Sequence, residues 1–372
     1  MRIGFEAKRI FHNHTGLGNY GRDIVRILTD QKATEHFYLF NTKKSEFEKE
    51  VYLQKATIIY PKGWFWNTFP SIWRLMGQWK QAKSLCLDCY HGLSGEIPLQ
   101  LKKNRIPKIV TIHDLIFLSH PQYYNFFDRL IYRLKIRYAV QVANHIVAIS
   151  EQTKADIIKY FKVNENKISV VYQGCNEAYK QTYSKEEWEK TKKKFHLPDS
   201  YILNVGTIQD RKNALSVVKA IKDTDHYLVL VGKEKSYAKK IHQYIAAHDL
   251  GGRVIFIKNV ESTELAMIYK GATVFCYPSF CEGFGIPIIE ALFSKIPVIT
   301  TKFGCFPEAA GPSSLFIDPR NIEEIRAAIN HLYNHPEIRE KMAMEGYAYA
   351  QRFSDAQVAK NLLQLYKKMN HG

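Results

Sequence analysis

The sequence predicts an α/β protein built from two doubly wound parallel-sheet domains. Short apolar, β-branched runs alternate with helical patterns along the whole chain, which is the signature of strand–helix–strand units. At 372 residues with 46% hydrophobic content, the chain can fill two cores. A polar, charged stretch at 177–197 divides it near the middle. No run approaches 18 apolar residues, so no membrane span is expected. Met1 to Ala7, with Arg2 and Glu6 flanking a few apolar residues, does not read as a signal peptide. The six cysteines are scattered, and Cys86 and Cys89 form a lone C-x-x-C with no second pair for zinc. A buried structural role is expected for them, in a cytoplasmic protein.

Taken in order, Arg2 to Glu6 reads as the first strand. It is followed by the glycine-rich run His12-Asn-His-Thr-Gly-Leu-Gly-Asn-Tyr-Gly-Arg22 and an amphipathic helix through Leu28. A glycine loop between the first strand and first helix of such a sheet is a ligand position. The run nearly passes for a dinucleotide fingerprint. However, the strand Phe37–Phe40 runs into Asn41-Thr-Lys-Lys without the acidic residue that would hold a ribose, which discounts a nicotinamide role. Strands then end at Asp88-Cys-Tyr-His-Gly and at Lys108-Ile-Val-Thr-Ile-His-Asp114, which places His113 and Asp114 where open α/β sheets bind ligands. The strand His145–Ser150, a helix to Tyr160 and the strand Lys167–Tyr172 complete the first domain. A short helix, Lys185–Phe195, precedes the second. That domain opens with the strand Tyr201-Ile-Leu-Asn-Val-Gly206 and the turn Thr207–Asn213. Further strands are expected at Tyr227–Val231, Val254–Ile257, Ala272–Tyr277, Pro297–Thr300 and Ser314–Ile317. Residues 322–332 and 336–352 read as amphipathic helices, and Phe353-Ser-Asp355 caps a last helix, Ala356–Met369. The expected domains are 1–178 and 179–353, with 354–372 returning to the first.

Charge is uneven. The net charge is +17, and residues 1–180 carry 27 Lys and Arg against 15 Asp and Glu. A basic half implies an anionic partner. No nucleic-acid module is recognisable, so an acidic membrane surface or a phosphate-bearing substrate leads. Trp64, Trp66, Trp73 and Trp79 cluster with Lys62, Arg74 and Lys80, a composition that suits either a membrane interface or an ordinary core helix. Tyr123–Val140, with Arg129, Arg133, Lys135 and Arg137, reads as an amphipathic helix with a basic outer face, packed on the sheet, and contact with phospholipid is a further reading of that face.

Tyr277 to Thr300 carries the sharpest pattern. The strand breaks at Pro278, a loop holds Glu282, Gly283 and Gly285, and a helix opens with Pro287 in its first turn, where a missing N–H costs nothing. Glycines let backbone approach a ligand, and the bare N–H groups of a helix start favour an anionic or hydroxyl-rich partner. Glu282 and Glu290 can line the same mouth, and carboxylates accept from vicinal hydroxyls. Spacing alone proves little, because Glu337 and Glu345 are also eight apart in an ordinary helix. Arg211 and Lys212 stand at another helix N-terminus, where the dipole disfavours cations unless an anion lies between. Asp223-Thr-Asp225 falls between a helix and a strand start, and reads as a surface turn rather than a metal site.

In its full order of strand, Pro-Ser, Glu, Gly-x-Gly, Pro, Glu and strand, the stretch 277–300 resembles the Glu-x7-Glu signature of retaining family-4 glycosyltransferases of GT-B architecture. The resemblance covers nearly the whole chain and implies two Rossmann-like domains facing across a cleft. It also implies transfer of a hexosyl group, mannosyl or glucosyl, from a GDP- or UDP-linked sugar to a glycan or lipid-linked acceptor in surface-polysaccharide synthesis. No cofactor and no metal are implied. By the same resemblance Arg211 and Lys212 bind the diphosphate, Glu290 the ribose, and Glu282 and His113 the donor sugar. Gly16, Gly18, Gly206, Gly283, Phe284 and Gly285 border the donor, and Asp114 orients its loop. Peripheral attachment to the inner face of the cytoplasmic membrane is a further expectation. Two other readings stay open: a sugar-nucleotide-binding protein with a dead site, and a GT-B phosphorylase, whose pyridoxal-binding lysine has no evident position here.

Overall fold

The computed structural model describes residues 1–30, 35–103 and 105–370. The chain divides into two compact units, one of residues 1–173 with 355–372 and the other of residues 174–354.

In the first unit seven parallel strands are arranged in the order β3-β2-β1-β4-β5-β6-β7. They are β1 (Arg2–Glu6), β2 (His36–Phe40), β3 (Thr57–Ile59), β4 (Cys89–Gly92), β5 (Lys108–Ile112), β6 (His145–Ala148) and β7 (Ile168–Val170). β4, β5 and β6 are buried at every residue, as strands covered on both faces must be, and β5 and β6 accordingly read as mainly apolar runs. Strand order reverses between β1 and β4. Such a switch point opens a crevice at the strands' carboxyl ends, here Glu6 and Gly92. The last helix, Asp355–Asn370, belongs to this unit. Its Val358, Leu362 and Tyr366 join Phe5, Ile24 and Leu28 in one core, and Asp355 accepts from Arg26 at 2.8 Å.

Two expectations for this unit change. The glycine-rich run is no open loop: a short helix, Lys8–His12, precedes it, and the helix Gly16–Asp30 begins within it. Gly18 is needed there for close approach, because a Cβ at that position would sit 1.8 Å from the Asn13 carbonyl oxygen. The helix Phe126–Val142 does not pack on the sheet along its length. Ala139 and Val140 are buried, while Phe126 and Phe127 are 68% and 75% exposed. Within the tryptophan segment, Trp73 lies in the core and Trp64 stands 80% exposed.

The second unit has six parallel strands in the order β10-β9-β8-β11-β12-β13. They are β8 (Ile202–Val205), β9 (Leu228–Val231), β10 (Val254–Ile257), β11 (Val274–Tyr277), β12 (Val298–Thr301) and β13 (Leu315–Ile317). The order reverses between β8 and β11, so the loops leaving these two strands border this unit's crevice. One contains Arg211 and Lys212, and the other contains Glu282. The helix Lys185–Phe195 starts with a Ser184–Glu187 capping box, each side chain bonding the other's backbone N–H.

Candidate active site

The loop after β8 makes a single 3-10 turn, Asp210–Lys212. Asn213 then takes a left-handed conformation (φ 56°) before the helix Ala214–Ala220. The Asn213 amide donates to Pro278 O at 3.1 Å and Pro319 O at 2.7 Å, which ties this turn to the loop after β11. That second loop is clamped from several sides. Phe280 N donates to Arg211 O at 2.8 Å, and Thr301 Oγ1 donates to Ser279 O at 2.7 Å. The loop ends at Gly285, whose φ of +122° is strained for a side chain with a Cβ, and the helix Ile286–Phe293 follows with proline in its first turn. Phe284, by contrast, turns inward. It is buried and meets Phe353 edge-on at 5.4 Å between ring centroids.

Four donors converge on one oxygen of Glu282. Arg211 Nη1 and Lys212 Nζ each lie 2.7 Å from Oε1, the Tyr277 hydroxyl 2.9 Å and Ser279 Oγ 3.0 Å. Lys212 also bonds the Tyr277 hydroxyl and lies over that ring, 4.9 Å from its centroid. Burial alone would raise the pKa of Glu282. The charges of Lys212 and Arg211 outweigh it and hold the carboxyl down to about 2, so it is ionised at neutral pH. Burial works against the charge on Lys212 and lowers its pKa, with Glu282 opposing. Burial, then the neighbouring carboxylate, raises Tyr277, so its phenol keeps the proton it donates. Gly206, at the end of β8, lies beneath Lys212: a Cβ there would be 3.5 Å from the ammonium.

Glu290, one turn into its helix, accepts from the Tyr269 hydroxyl at 2.9 Å. Tyr179 also bonds Glu290, and burial together with that carboxylate raises its pKa. Tyr179 meets Tyr269 edge-on at 5.4 Å, and Tyr269, Phe275 and Tyr277 continue as a ladder at 5.3 and 5.7 Å. Each carboxylate is therefore held by a tyrosine, and the ladder joins the two. Sequence reasoning missed Tyr179 and Tyr269, since tyrosines far along the chain carry no local mark of what they bond. Tyr277 and Ser279 lay inside the quoted motif without an assigned role.

His113 lies in the first unit, just after β5. Its Nε2 proton goes to Leu93 O at 2.8 Å, since a carbonyl can only accept, and its Nδ1 accepts from Gln173 Nε2 at 3.1 Å. Burial lowers its pKa to about 4, so the ring is neutral. His113 and Asp114 border a cavity of about 230 Å³ with Arg9, Glu96, Tyr124 and Tyr132. Gly16 and Gly18 lie in the first turn of their helix, Gly16 with open space above it. The structure thus groups Gly206, Arg211, Lys212, Glu282, Gly283, Gly285 and Glu290 at one end of the second unit's sheet, and His113, Gly16 and Gly18 in the first unit. Asp223 pairs with Arg326 at 3.3 Å, away from this end. Among the described residues no group of three His, Cys, Asp or Glu side chains is placed to hold a metal.

Two Rossmann-like units, the second with paired cations and carboxylates at its switch point, define a glycosyltransferase of GT-B fold. Family models account for most of the chain: Glycosyltransferase Family 4 matches residues 14–179, and Glycosyl transferases group 1 matches residues 185–349. The chain belongs to the family-4 glycosyltransferases. It is 28% identical over 350 residues to the O-antigen chain mannosyltransferase RfbU of Salmonella typhimurium, covering 88% of this chain and 92% of that protein. It is 25% identical over 395 aligned positions to O-antigen chain mannosyltransferase B of Escherichia coli, covering 99% of this chain and 100% of that protein. The Anabaena protein Alr3699/HepE, solved in complex with UDP and glucose, superposes with a TM-score of 0.77 at 17% identity. That likeness covers 99% of this chain and 100% of HepE, and speaks to the fold.

Proposed function

We propose that the protein is a metal-independent retaining hexosyltransferase. It would move a mannosyl or glucosyl group from a GDP- or UDP-linked sugar to a glycan or lipid-linked acceptor in surface-polysaccharide synthesis. The observation that carries this reading is the meeting of Arg211 and Lys212 at the switch point of β8 and β11, both within 2.7 Å of a single anionic oxygen. A site already built around an anion fits the diphosphate of a nucleotide sugar. The printed names of the O-antigen mannosyltransferase relatives support the mannosyl choice and the polysaccharide context. UDP and glucose on the HepE neighbour support a nucleotide-sugar donor.

The reaction breaks the bond between the sugar's anomeric carbon and the diphosphate oxygen. Charge builds on the departing oxygen, and one cation about 4 Å away in an effective dielectric of about 20 offsets roughly 4 kcal/mol of it. Arg211 and Lys212 supply two such cations. Glu290 would take the ribose hydroxyls, and Glu282 the hydroxyls of the transferred sugar. Retention follows from attack on the face the phosphate leaves, with the acceptor's hydroxyl proton passing to the phosphate oxygen.

The acceptor side would fall to the first unit. Trp64, Phe65, Phe69 and Ile72 are exposed, as are Phe126, Phe127, Leu130 and Leu134 of the helix Phe126–Val142. Arg74 and Lys135, one from each segment, both reach Glu96, so the two segments approach each other at that carboxylate. With Arg129, Arg133 and Arg137 alongside, the surface suits the anionic inner face of a cytoplasmic membrane. Among the described residues no helix is long and apolar enough to cross one. Screening GDP, UDP and other nucleoside diphosphates for thermal stabilisation of the chain tests the donor site. Stabilisation by none of them would remove the basis of this reading.

A further inference from the structure

We propose that Glu282 competes with the donor's diphosphate for Arg211 and Lys212, and so makes the site prefer intact nucleotide sugar over spent nucleoside diphosphate. The inference rests on the donor-site reading above. It begins from the fact that the carboxylate already occupies the cations: Oε1 takes Arg211, Lys212, Tyr277 and Ser279, all within 3.0 Å. The side chain is only 11% exposed, so these bonds form in a site of low dielectric, where they are strong. The backbone around it is fixed. Arg211 Nη1 donates to Cys281 O at 2.8 Å, Cys305 Sγ donates to Glu282 O at 3.3 Å, and Thr300 Oγ1 donates to Tyr277 O at 2.9 Å. Only the Glu282 side chain has to move for a phosphate to take its place.

The consequence differs for donor and product. An intact donor that displaces the carboxylate presents sugar hydroxyls, which donate to Glu282 in its new position. A bare nucleoside diphosphate displaces it and presents nothing in return. Glu282 is then a buried carboxylate without its cations, a costly state. Once the sugar has gone to the acceptor, the carboxylate regains its four donors only by returning to Arg211 and Lys212, which drives the nucleotide out. Tyr277 and Ser279 are positioning residues in this account, because they hold Oε1 on the cations.

Calorimetric titration of the full chain with GDP and with UDP tests this, using wild type, Glu282→Gln and Tyr277→Phe. Glu282→Gln removes the competing charge and should bind the preferred nucleoside diphosphate about ten- to hundredfold more tightly, the worth of the charged hydrogen bonds it gives up. Its turnover with intact donor should fall. Tyr277→Phe keeps the ring and removes one donor to Oε1, so it should bind that nucleotide about fivefold more tightly. Because either ligand must displace the carboxylate, its KM for donor should fall as its product inhibition strengthens. Equal or weaker nucleotide binding by folded Glu282→Gln overturns the inference. If that variant does not fold, Tyr277→Phe decides by the same criterion. Failure of wild type and variants alike to bind either nucleotide overturns the donor-site reading, and the inference with it.

Discussion

Acidification from pH 8 to pH 5 should weaken the first unit steeply, through histidines that fold as neutral rings. His91 is fully buried, with Nδ1 bonded to the Tyr366 hydroxyl and Nε2 to Thr111 Oγ1, both at 2.8 Å. Burial, then the nearby His113, lowers its pKa from 6.5 to about 3, and burial lowers that of His113 from 6.5 to about 4. A base whose folded pKa is depressed binds more protons when unfolded. Its stabilising contribution is complete above pH 6.5 and is lost as pH falls through the window down to the folded pKa. At pH 5 the unfolded ring is almost wholly protonated and the folded ring is not. The difference spans about 1.5 pH units at 1.36 kcal/mol each, or roughly 2 kcal/mol for His91. His113 borders a cavity and counts for somewhat less. A combined loss of about 3–4 kcal/mol is a large part of the 5–15 kcal/mol that holds a domain. Buried Glu6, whose carboxyl is raised mainly by burial, works in the opposite sense. The discriminating quantity is therefore the change in slope on removing one histidine. Urea unfolding at several pH values can be followed by tryptophan fluorescence, since Trp64, Trp66, Trp73 and Trp79 lie in this unit and only Trp188 in the other. His91→Gln should reduce the pH slope of stability below pH 5.5 by close to one proton, about 1.4 kcal/mol per pH unit. An unchanged slope in that variant would refute the assignment of a neutral, buried ring.

Three further outcomes follow from the site and surface. Glu290→Gln should weaken donor and nucleoside diphosphate alike by about ten- to hundredfold in calorimetry, with turnover at saturating donor little changed, because a ribose contact alters little during reaction. Tyr269→Phe, which removes one hydrogen bond to Glu290, should weaken nucleotide binding by about fivefold, and equal affinity would mean the tyrosine does not hold that carboxylate in its binding position. Binding to vesicles containing anionic lipid should weaken as salt rises and fall further in a Trp64→Ala, Phe127→Ala chain, and equal binding to neutral vesicles would rule out the electrostatic part.

The strands were legible where they are buried on both faces. Runs such as Lys108-Ile-Val-Thr-Ile112 and Tyr201-Ile-Leu-Asn-Val205 admit little else, and the helix Lys185–Phe195 has the bounds expected of it. β3, three residues long and never fully buried, has no such pattern and was not anticipated. The apolar residues Phe126, Phe127 and Leu130 suggested a helix lying on the sheet, but hydrophobicity says only that a residue prefers cover, not which surface supplies it. At the site, Arg211 and Lys212 stood out because cations before a helix need an anion. That the resident anion is Glu282 itself, 70 residues on, belongs to tertiary structure, as do the Tyr179 and Tyr269 bonds to Glu290.

The central claim is that paired cations, rather than a metal ion, carry the departing diphosphate. The most direct measurement is acceptor-dependent release of nucleoside diphosphate from the preferred donor in excess EDTA, comparing wild type with Arg211→Ala, Lys212→Ala and the double variant. The account predicts full wild-type turnover in EDTA. Each single variant should lose about a hundredfold or more, consistent with about 3 kcal/mol or more of transition-state stabilisation per cation. Abolition of wild-type turnover by EDTA with recovery on adding magnesium or manganese, or a double variant that keeps most of its activity, would contradict it.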